Sequence, residues 1–447
     1  MIKRSTTIRG RTAALMLATA CLALPVGAAI GQTGRDAREA ELARLLSVWQ
    51  RVSANYVDKV DDKKLVDGAI EGMLSSLDPH SSYLQASDFQ NLRLTTDGNY
   101  GGLGLTVTLE DGAVKVQTPT EDTPADRAGI KAGDFITHVD GELVFGSTLD
   151  EAVAKMRGAP GTKLTLTLVR PGRDKPFDVP LTRETIVLRP VKWEVKDRVG
   201  VLNINAFNAQ TAEQLTAAMT AIDKAVGGRP LGYVVDLRSN PGGLLDQAIR
   251  VTDAFLEQGE IVSERGRDPK DIQRFFATAG DMAHGLPIVV LVDAGSASAA
   301  EIVAGALQDH GRALVMGETS FGKGSVQTLV DLGPETALRL TTARYFTPSG
   351  RSVQAGGIKP DIPVPQLSDP DYKTRPRFRE ADLRRHLLAE KEVKAEVLED
   401  DPTPDPRFAA TAAELEKQGV KDYQLHYALN TLKRLATGPA AGARASR

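Results

Sequence analysis

At 447 residues the chain is too long for one compact domain, and at roughly 150 residues per domain it predicts two to three. A hydrophobic share of 41% with 25% charged residues can build sizeable cores and excludes a mainly disordered chain. A net charge of -3 with 5% aromatics argues against nucleic acid as a partner, and a single cysteine excludes a disulfide framework or a Cys-rich zinc site.

Residues 1–28 read as a secretory signal peptide. Lys3, Arg4, Arg9 and Arg11 form a basic start, an apolar run extends from Ala13 to Leu24, and Val26-Gly27-Ala28 offers a cleavage site. The alternative is an uncleaved membrane anchor, although the run falls short of the ~20 residues a span needs. A lipoprotein anchor at Cys21 lacks a leucine-led box before it. Cleavage after Ala28 removes the only cysteine and four positive charges. What remains is acidic, as suits a periplasmic protein.

The mature chain then changes texture four times. Residues 36–97 predict an N-terminal helical region and the start of the core, with surface or partner-facing helices at Arg38–Tyr56 and Lys63–Leu77. Residues 98–188 alternate as short strands around one helix, Leu149–Met156, and predict a β-rich module. Residues 189–365 repeat strand, turn and helix. There Tyr233–Leu237 and Ile288–Val292 are continuous apolar runs, as in strands buried on both faces. Residues 366–447 predict a charged C-terminal helical region between Pro-rich linkers, then a Gly/Ala-rich tail.

The chemistry concentrates in two segments. Ser298 follows a buried strand and a turn of small residues and stands at the start of a helix, where unpartnered N–H groups favour negative charge. It is suited to be a nucleophile, and Ala299 N–H to receive an oxyanion. Yet Ser298-Ala-Ala-Glu301 is also a capping box, which a purely structural serine would satisfy. Ser296, two residues earlier, is a rival nucleophile. No histidine among His80, His138, His284, His310, His386 and His426 sits in a motif that announces a triad. Lys323, between two glycines, can serve as base if burial leaves its amine neutral. Gln327, four residues on, can hold that amine from the same side of a strand. An ordinary glycine turn with a solvated lysine is the bland alternative.

These segments together resemble the carboxyl-terminal processing peptidases, tail-specific serine proteases. The resemblance rests on Gly295-Ser-Ala-Ser-Ala-Ala-Glu-Ile302, Gly322-Lys-Gly-Ser-Val-Gln327, Leu77-Asp-Pro-His-Ser-Ser-Tyr83, Asp236-Leu-Arg-Ser-Asn-Pro-Gly-Gly-Leu244, Tyr345-Phe-Thr-Pro-Ser-Gly-Arg-Ser-Val353 and Gly357-Ile-Lys-Pro-Asp361, in that family's order. It covers roughly residues 40–365; Ala300 stands where many relatives carry serine. It implies an α/β fold: a crotonase/Clp-protease-like core with an inserted PDZ domain and flanking N- and C-terminal helices. It assigns Ser298 as nucleophile, Lys323 as general base, Gln327 as its orienter, and Gly243 with Ala299 as the oxyanion hole.

Tyr100-Gly-Gly-Leu-Gly-Leu105 resembles the carboxylate-binding loop of PDZ domains, and Pro124–Asp134 their helix-turn segment. Gly101, Gly102, Leu103 and Gly104 would hold a free C-terminus while the tail pairs with a sheet edge. Arg157, in Met156-Arg-Gly-Ala-Pro-Gly-Thr162, resembles an arginine that senses bound substrate, or else merely ends a helix. The implied enzyme needs no cofactor or metal. Its partners would be proteins with exposed C-terminal tails, an adaptor protein, and a second copy of the chain in a dimer or larger homo-oligomer. No nucleic acid is expected, and membrane association only through an uncleaved N-terminus. Two other classes compete: a PDZ adaptor with an inactive core, and a crotonase-like acyl-thioester enzyme.

Overall fold

The computed structural model describes residues 37–110, 112–268, 270–333, 336–372, 374–388, 408 and 410–437. The expected signal peptide and the tail after Thr437 lie outside the described residues. The chain divides at Ser75 into two units. The first is helical over 37–55 and again from Asp62. On its first helix Leu42, Leu45, Leu46 and Val48 are exposed.

The second unit is built on a six-stranded sheet ordered Val191–Lys196, Val199–Ile204, Tyr233–Asp236, Ile288–Val292, Leu314–Gly317 and Ile362–Pro363. The first pair is antiparallel and the others parallel. Its central strands are largely apolar because both faces are covered. Val235, Val290 and Val292 pack with the helices Thr211–Val226, Leu245–Asp253 and Ala299–Asp309. The alternate residues Val234, Val289 and Leu291 pack with Leu425, Ala428, Leu429 and Leu432 of the C-terminal helix Tyr423–Thr437. Each such side chain contributes about 1.5–3 kcal/mol when fully buried.

The helix Ala299–Asp309 is buried from Ala299 to Leu307. Its small residues allow that: a Cβ on Gly305 would meet Thr347 Cγ2 at 2.8 Å. A second, antiparallel sheet, Ser82–Leu84, Thr336–Phe346, Glu260–Arg265 and Ile272–Phe276, with Ser325–Gly333 on Thr336–Phe346, carries the strand that follows Lys323.

Between Leu105 and Thr182 a separate sheet closes over its own core, including Val114, Ile136, Leu166 and Leu168, with the helix Leu149–Met156 against it. Its strand Leu105–Glu110 is an edge, paired among the described residues only with Ala113–Pro119. Of the expected C-terminal helical region, residues 389–407 lie outside the described residues. Between Asp371 and Leu388 the described chain runs in turns with one 3-10 turn, Glu380–Asp382; the described helices of this region are Ala412–Lys417 and Tyr423–Thr437. Several carboxylates here close local turns instead, as when Asp369 accepts from Asp371 N–H and Asp382 from Arg379 N–H.

Candidate active site

In an open parallel sheet the functional crevice lies beyond the carboxyl ends of the strands. Strand Tyr233–Asp236 feeds the turn 237–244, and strand Ile288–Val292 feeds the turn that ends at Ser298. The two turns are bonded together. Ala297 N–H donates to the Asn240 carbonyl at 2.9 Å, and Asp293 accepts from Ser239 N–H at 2.8 Å.

Ser298 has φ 55° and ψ -114°. For a residue with a Cβ this is a sparsely populated conformation, of order 1–3 kcal/mol, held by its surroundings. The capping-box spacing operates through the backbone: Glu301 accepts the Ser298 N–H at 2.8 Å, while Glu301 N–H donates to the Ser298 carbonyl at 2.9 Å. The Ser298 hydroxyl makes no capping bond to the helix. Ser296 differs in every respect. It is fully buried, its hydroxyl donates to the Leu237 carbonyl at 2.8 Å, and the same oxygen accepts from Asp293 N–H at 2.9 Å. That hydroxyl is engaged in holding the turn.

Lys323 and Gln327 are brought together: the Lys323 amine donates to Gln327 Oε1, and Gln327 Nε2 is fixed by Ser325 Oγ at 3.0 Å and Thr341 Oγ1 at 3.2 Å. The expected route along one side of a regular strand needs correction. Lys323 precedes the strand Ser325–Gly333, and the register shifts between Val326 and Gln327. Burial lowers the Lys323 amine below the usual lysine range, with a smaller opposing effect from Glu380.

Two residues not singled out as site residues in the sequence join these loops. Glu301 is fully buried, and its carboxylate accepts from Ser298 N–H and Lys323 N–H on one oxygen, and from Gly322 N–H and Ser320 Oγ on the other. Burial pushes this carboxyl up to about 7, against the pull of those four donors. Tyr345, also buried, donates to the carbonyls of both Ser298 and Lys323. The capping-box spacing pointed to Glu301, but only as a cap; Tyr345 lay inside a quoted motif without a role.

Gly243 has φ 142°, and a Cβ there would lie 2.1 Å from the Phe207 carbonyl oxygen. Only glycine permits this approach. A Cβ on neighbouring Gly242 would stand 2.8 Å from Ser298 Cβ, so the turn lies against the serine. Neither Gly243 N–H nor Ala299 N–H donates to an acceptor among the described residues. Arg238 anchors the turn from behind. Its guanidinium bonds Asp236 at 2.7 Å, Asp422 at 2.7 Å and Gln424 at 3.0 Å, which ties the C-terminal helix to the loop.

In the β-rich module, Gly102, Leu103, Gly104, Leu105 and Val107 line one side of a groove, and Val153, Met156 and Arg157 the other. Leu103 and Gly104 N–H have no acceptor among the described residues. A Cβ on Gly104, at φ 77°, would collide with Thr123 at 2.3 Å, and one on Gly101 with the Gly158 carbonyl oxygen at 2.0 Å. Arg157 ends the helix Leu149–Met156, stacks over the Tyr100 ring at 5.4 Å and donates to Asn91 Oδ1. It therefore joins the groove rim to the helix Ala86–Asp97.

Comparison with known proteins adds sequence-wide evidence. The family model for peptidase family S41 matches residues 198–364, that for the PDZ domain residues 115–170, and that for the activating protease CtpB N-terminal domain residues 27–88. A carboxy-terminal-processing protease of Bartonella bacilliformis is 51% identical over 354 residues, spanning 79% of this chain and 82% of the relative. The carboxy-terminal processing protease CtpA of Bacillus subtilis is 36% identical over 351 residues, spanning 78% and 73%. Among solved structures, a photosystem II D1 C-terminal processing protease aligns at 31% identity with a TM-score of 0.42, over 72% of this chain and 92% of that one.

Proposed function

Because the chain belongs to the carboxy-terminal-processing proteases, PDZ-bearing serine peptidases of family S41, we propose that Ser298 and Lys323 are its catalytic dyad. The observation that carries this reading is that a serine at a helix start, its hydroxyl free of the cap, and a lysine with a desolvated amine stand on loops joined through Glu301 and Tyr345. The backbones of both residues are held by the Glu301 carboxylate.

In this reading the neutral Lys323 amine takes the Ser298 proton as the oxygen attacks the scissile carbonyl, and then returns it to the leaving amine. Gln327 keeps the amine aimed. Gly243 and Ala299 N–H receive the oxyanion, each donor worth about 3–4 kcal/mol in such sites. A second water-derived attack, with the lysine again as base, releases the acyl group.

The substrate is a protein tail. Its C-terminal carboxylate sits on the Leu103 and Gly104 N–H groups, and its backbone adds to the open edge of strand Leu105–Glu110. Arg157 couples groove occupancy to the protease core through Asn91. The N-terminal basic and apolar segment supports export to a periplasm-like space, and the exposed leucines of helix 37–55 support self-association.

The test is hydrolysis of a tail peptide and its C-terminal amide by wild type, Ser298→Ala and Lys323→Ala. Cleavage of the acid form in preference to the amide, lost in both variants, is expected. Wild-type turnover by Lys323→Ala would sink the dyad.

A further inference from the structure

A second buried charged cluster is tied to the backbone on both sides of Lys323 and is built from parts of the chain that the dyad does not use. Glu380 lies in the 3-10 turn Glu380–Asp382, outside the span matched by the peptidase family model, and is fully buried. Its carboxylate meets the His80 ring Nε2 at 2.8 and 3.0 Å and accepts from Gln354 Nε2 at 2.9 Å. Its own N–H donates to the Phe321 carbonyl at 3.1 Å, and Gln354 Oε1 accepts the Gly324 N–H at 2.9 Å. The residues on both sides of Gly322-Lys323 are thus tied to this one turn. A buried side chain of this charge, held by a titratable ring and an amide, needs a reason to stay ionisable.

The charged groups that act on the Lys323 amine are Glu380, Arg339, Glu301 and Asp78. They differ in how far each carboxylate is already engaged. Asp78 is saturated by its own turn, accepting from His80 N–H, Ser81 N–H and Ser81 Oγ, each at 2.8 Å. Glu301 takes four donors. Arg339 donates to the His80 carbonyl at 3.1 Å and adds a positive charge on the same side. Glu380 has only Gln354 and His80 as side-chain partners among the described residues, and of these charges it acts most on the lysine. Burial would push its carboxyl up, but His80, Gln354 and Lys323 outweigh burial and keep it below the usual range.

We propose that Glu380, paired with His80 and tied through Gln354 to the base loop, is a positioning residue whose carboxylate charge sets the pH at which Lys323 becomes a base. The proposal rests on the Ser298–Lys323 reading. The physical sense is one-directional: a carboxylate beside an ammonium favours the protonated amine, and removing that charge frees the amine at lower pH.

Two variants separate charge from shape. Glu380→Gln keeps both hydrogen-bonding positions, because the amide oxygen accepts from Gln354 and the amide nitrogen donates to His80 Nε2 in the Nδ1–H tautomer, so the turn is retained. Glu380→Asp keeps the charge and shortens the reach. The measurement is the pH profile of kcat/KM on a tail peptide, with Lys323→Ala in parallel. In Glu380→Gln the ascending limb is expected to move down by about one pH unit. In Glu380→Asp it is expected to stay at the wild-type pH while kcat falls. An unmoved or upward-shifted limb in Glu380→Gln, with Lys323→Ala inactive, overturns this inference and leaves the dyad standing. Activity in Lys323→Ala overturns the dyad itself.

Discussion

Removing the Arg238 guanidinium tests what holds the turn that carries Gly243. The side chain is 14% exposed and bridges Asp236, 8% exposed, to Asp422, 34% exposed. Arg238→Ala leaves the Asp236 carboxylate buried beside a lost partner. Breaking a buried pair from one side costs about 3–5 kcal/mol, and the partial exposure of Asp422 places the expected loss near the lower end, at about 3 kcal/mol. That is a large share of an ordinary domain stability of about 5–15 kcal/mol. Burial pushes the Asp422 carboxyl up, but Arg238 outweighs it and holds it at about 2. Because this folded value lies below the unfolded one, the contribution of Asp422 is present above the ordinary aspartate range and is lost as pH falls toward 2. The assay is urea unfolding at pH 7 of wild type, Arg238→Ala, Asp422→Ala and the double variant. A coupling of about 1–2 kcal/mol is expected, after allowance for solvent screening at Asp422. Activity should fall with stability, since the same turn carries Gly243. A double-mutant cycle that closes at zero, or a wild-type midpoint for Arg238→Ala, would refute the reasoning.

Other outcomes follow from the site. Lys323→Arg should be as inactive as Lys323→Ala, since a guanidinium does not deprotonate in a protein; turnover by the arginine variant on a tail peptide would contradict the base assignment. Wild-type kcat/KM should rise with pH as the lowered lysine loses its proton, and a flat profile between pH 6 and pH 9 would count against it. Glu301→Ala unclamps the loops of Ser298 and Lys323, and displacement on the ångström scale is worth about 10²-fold in rate; single-turnover kinetics should show that loss in the rate of the chemical step. Arg157→Ala should keep tail-peptide binding, read by fluorescence anisotropy, while losing most cleavage, because it removes the Asn91 contact but leaves the loop Gly101–Gly104 in place. Equal losses of binding and cleavage would make Arg157 a groove residue only.

Much of this protein is written in local pattern. The largely apolar runs at Tyr233–Leu237 and Ile288–Val292 declared a sheet covered on both faces, since their valine, leucine and isoleucine side chains needed apolar partners on either side. Ser298 at a helix start and Lys323 between glycines were legible because strand, small-residue turn and helix are short-range features. The spacing from Lys323 to Gln327 was also legible, although the bulged start of the strand, rather than strand periodicity, aligns the two. The spacing to Lys323 and the helix-start position favoured Ser298 over Ser296, but only tertiary structure decided what engages the Ser296 hydroxyl. Ser296 and Ser298 have similar neighbours in sequence, but Ser296 is spent on a carbonyl 59 residues away, a contact that no local pattern encodes. The same holds for Glu301 as a shared acceptor for both loops, for Arg238 reaching Asp422, and for Glu380 meeting His80 across 300 positions. The charged C-terminal stretch read as helix from composition, yet around Glu380 it folds as turns. Composition registers charge density, whereas the partners that bury one of those charges come from the far end of the chain.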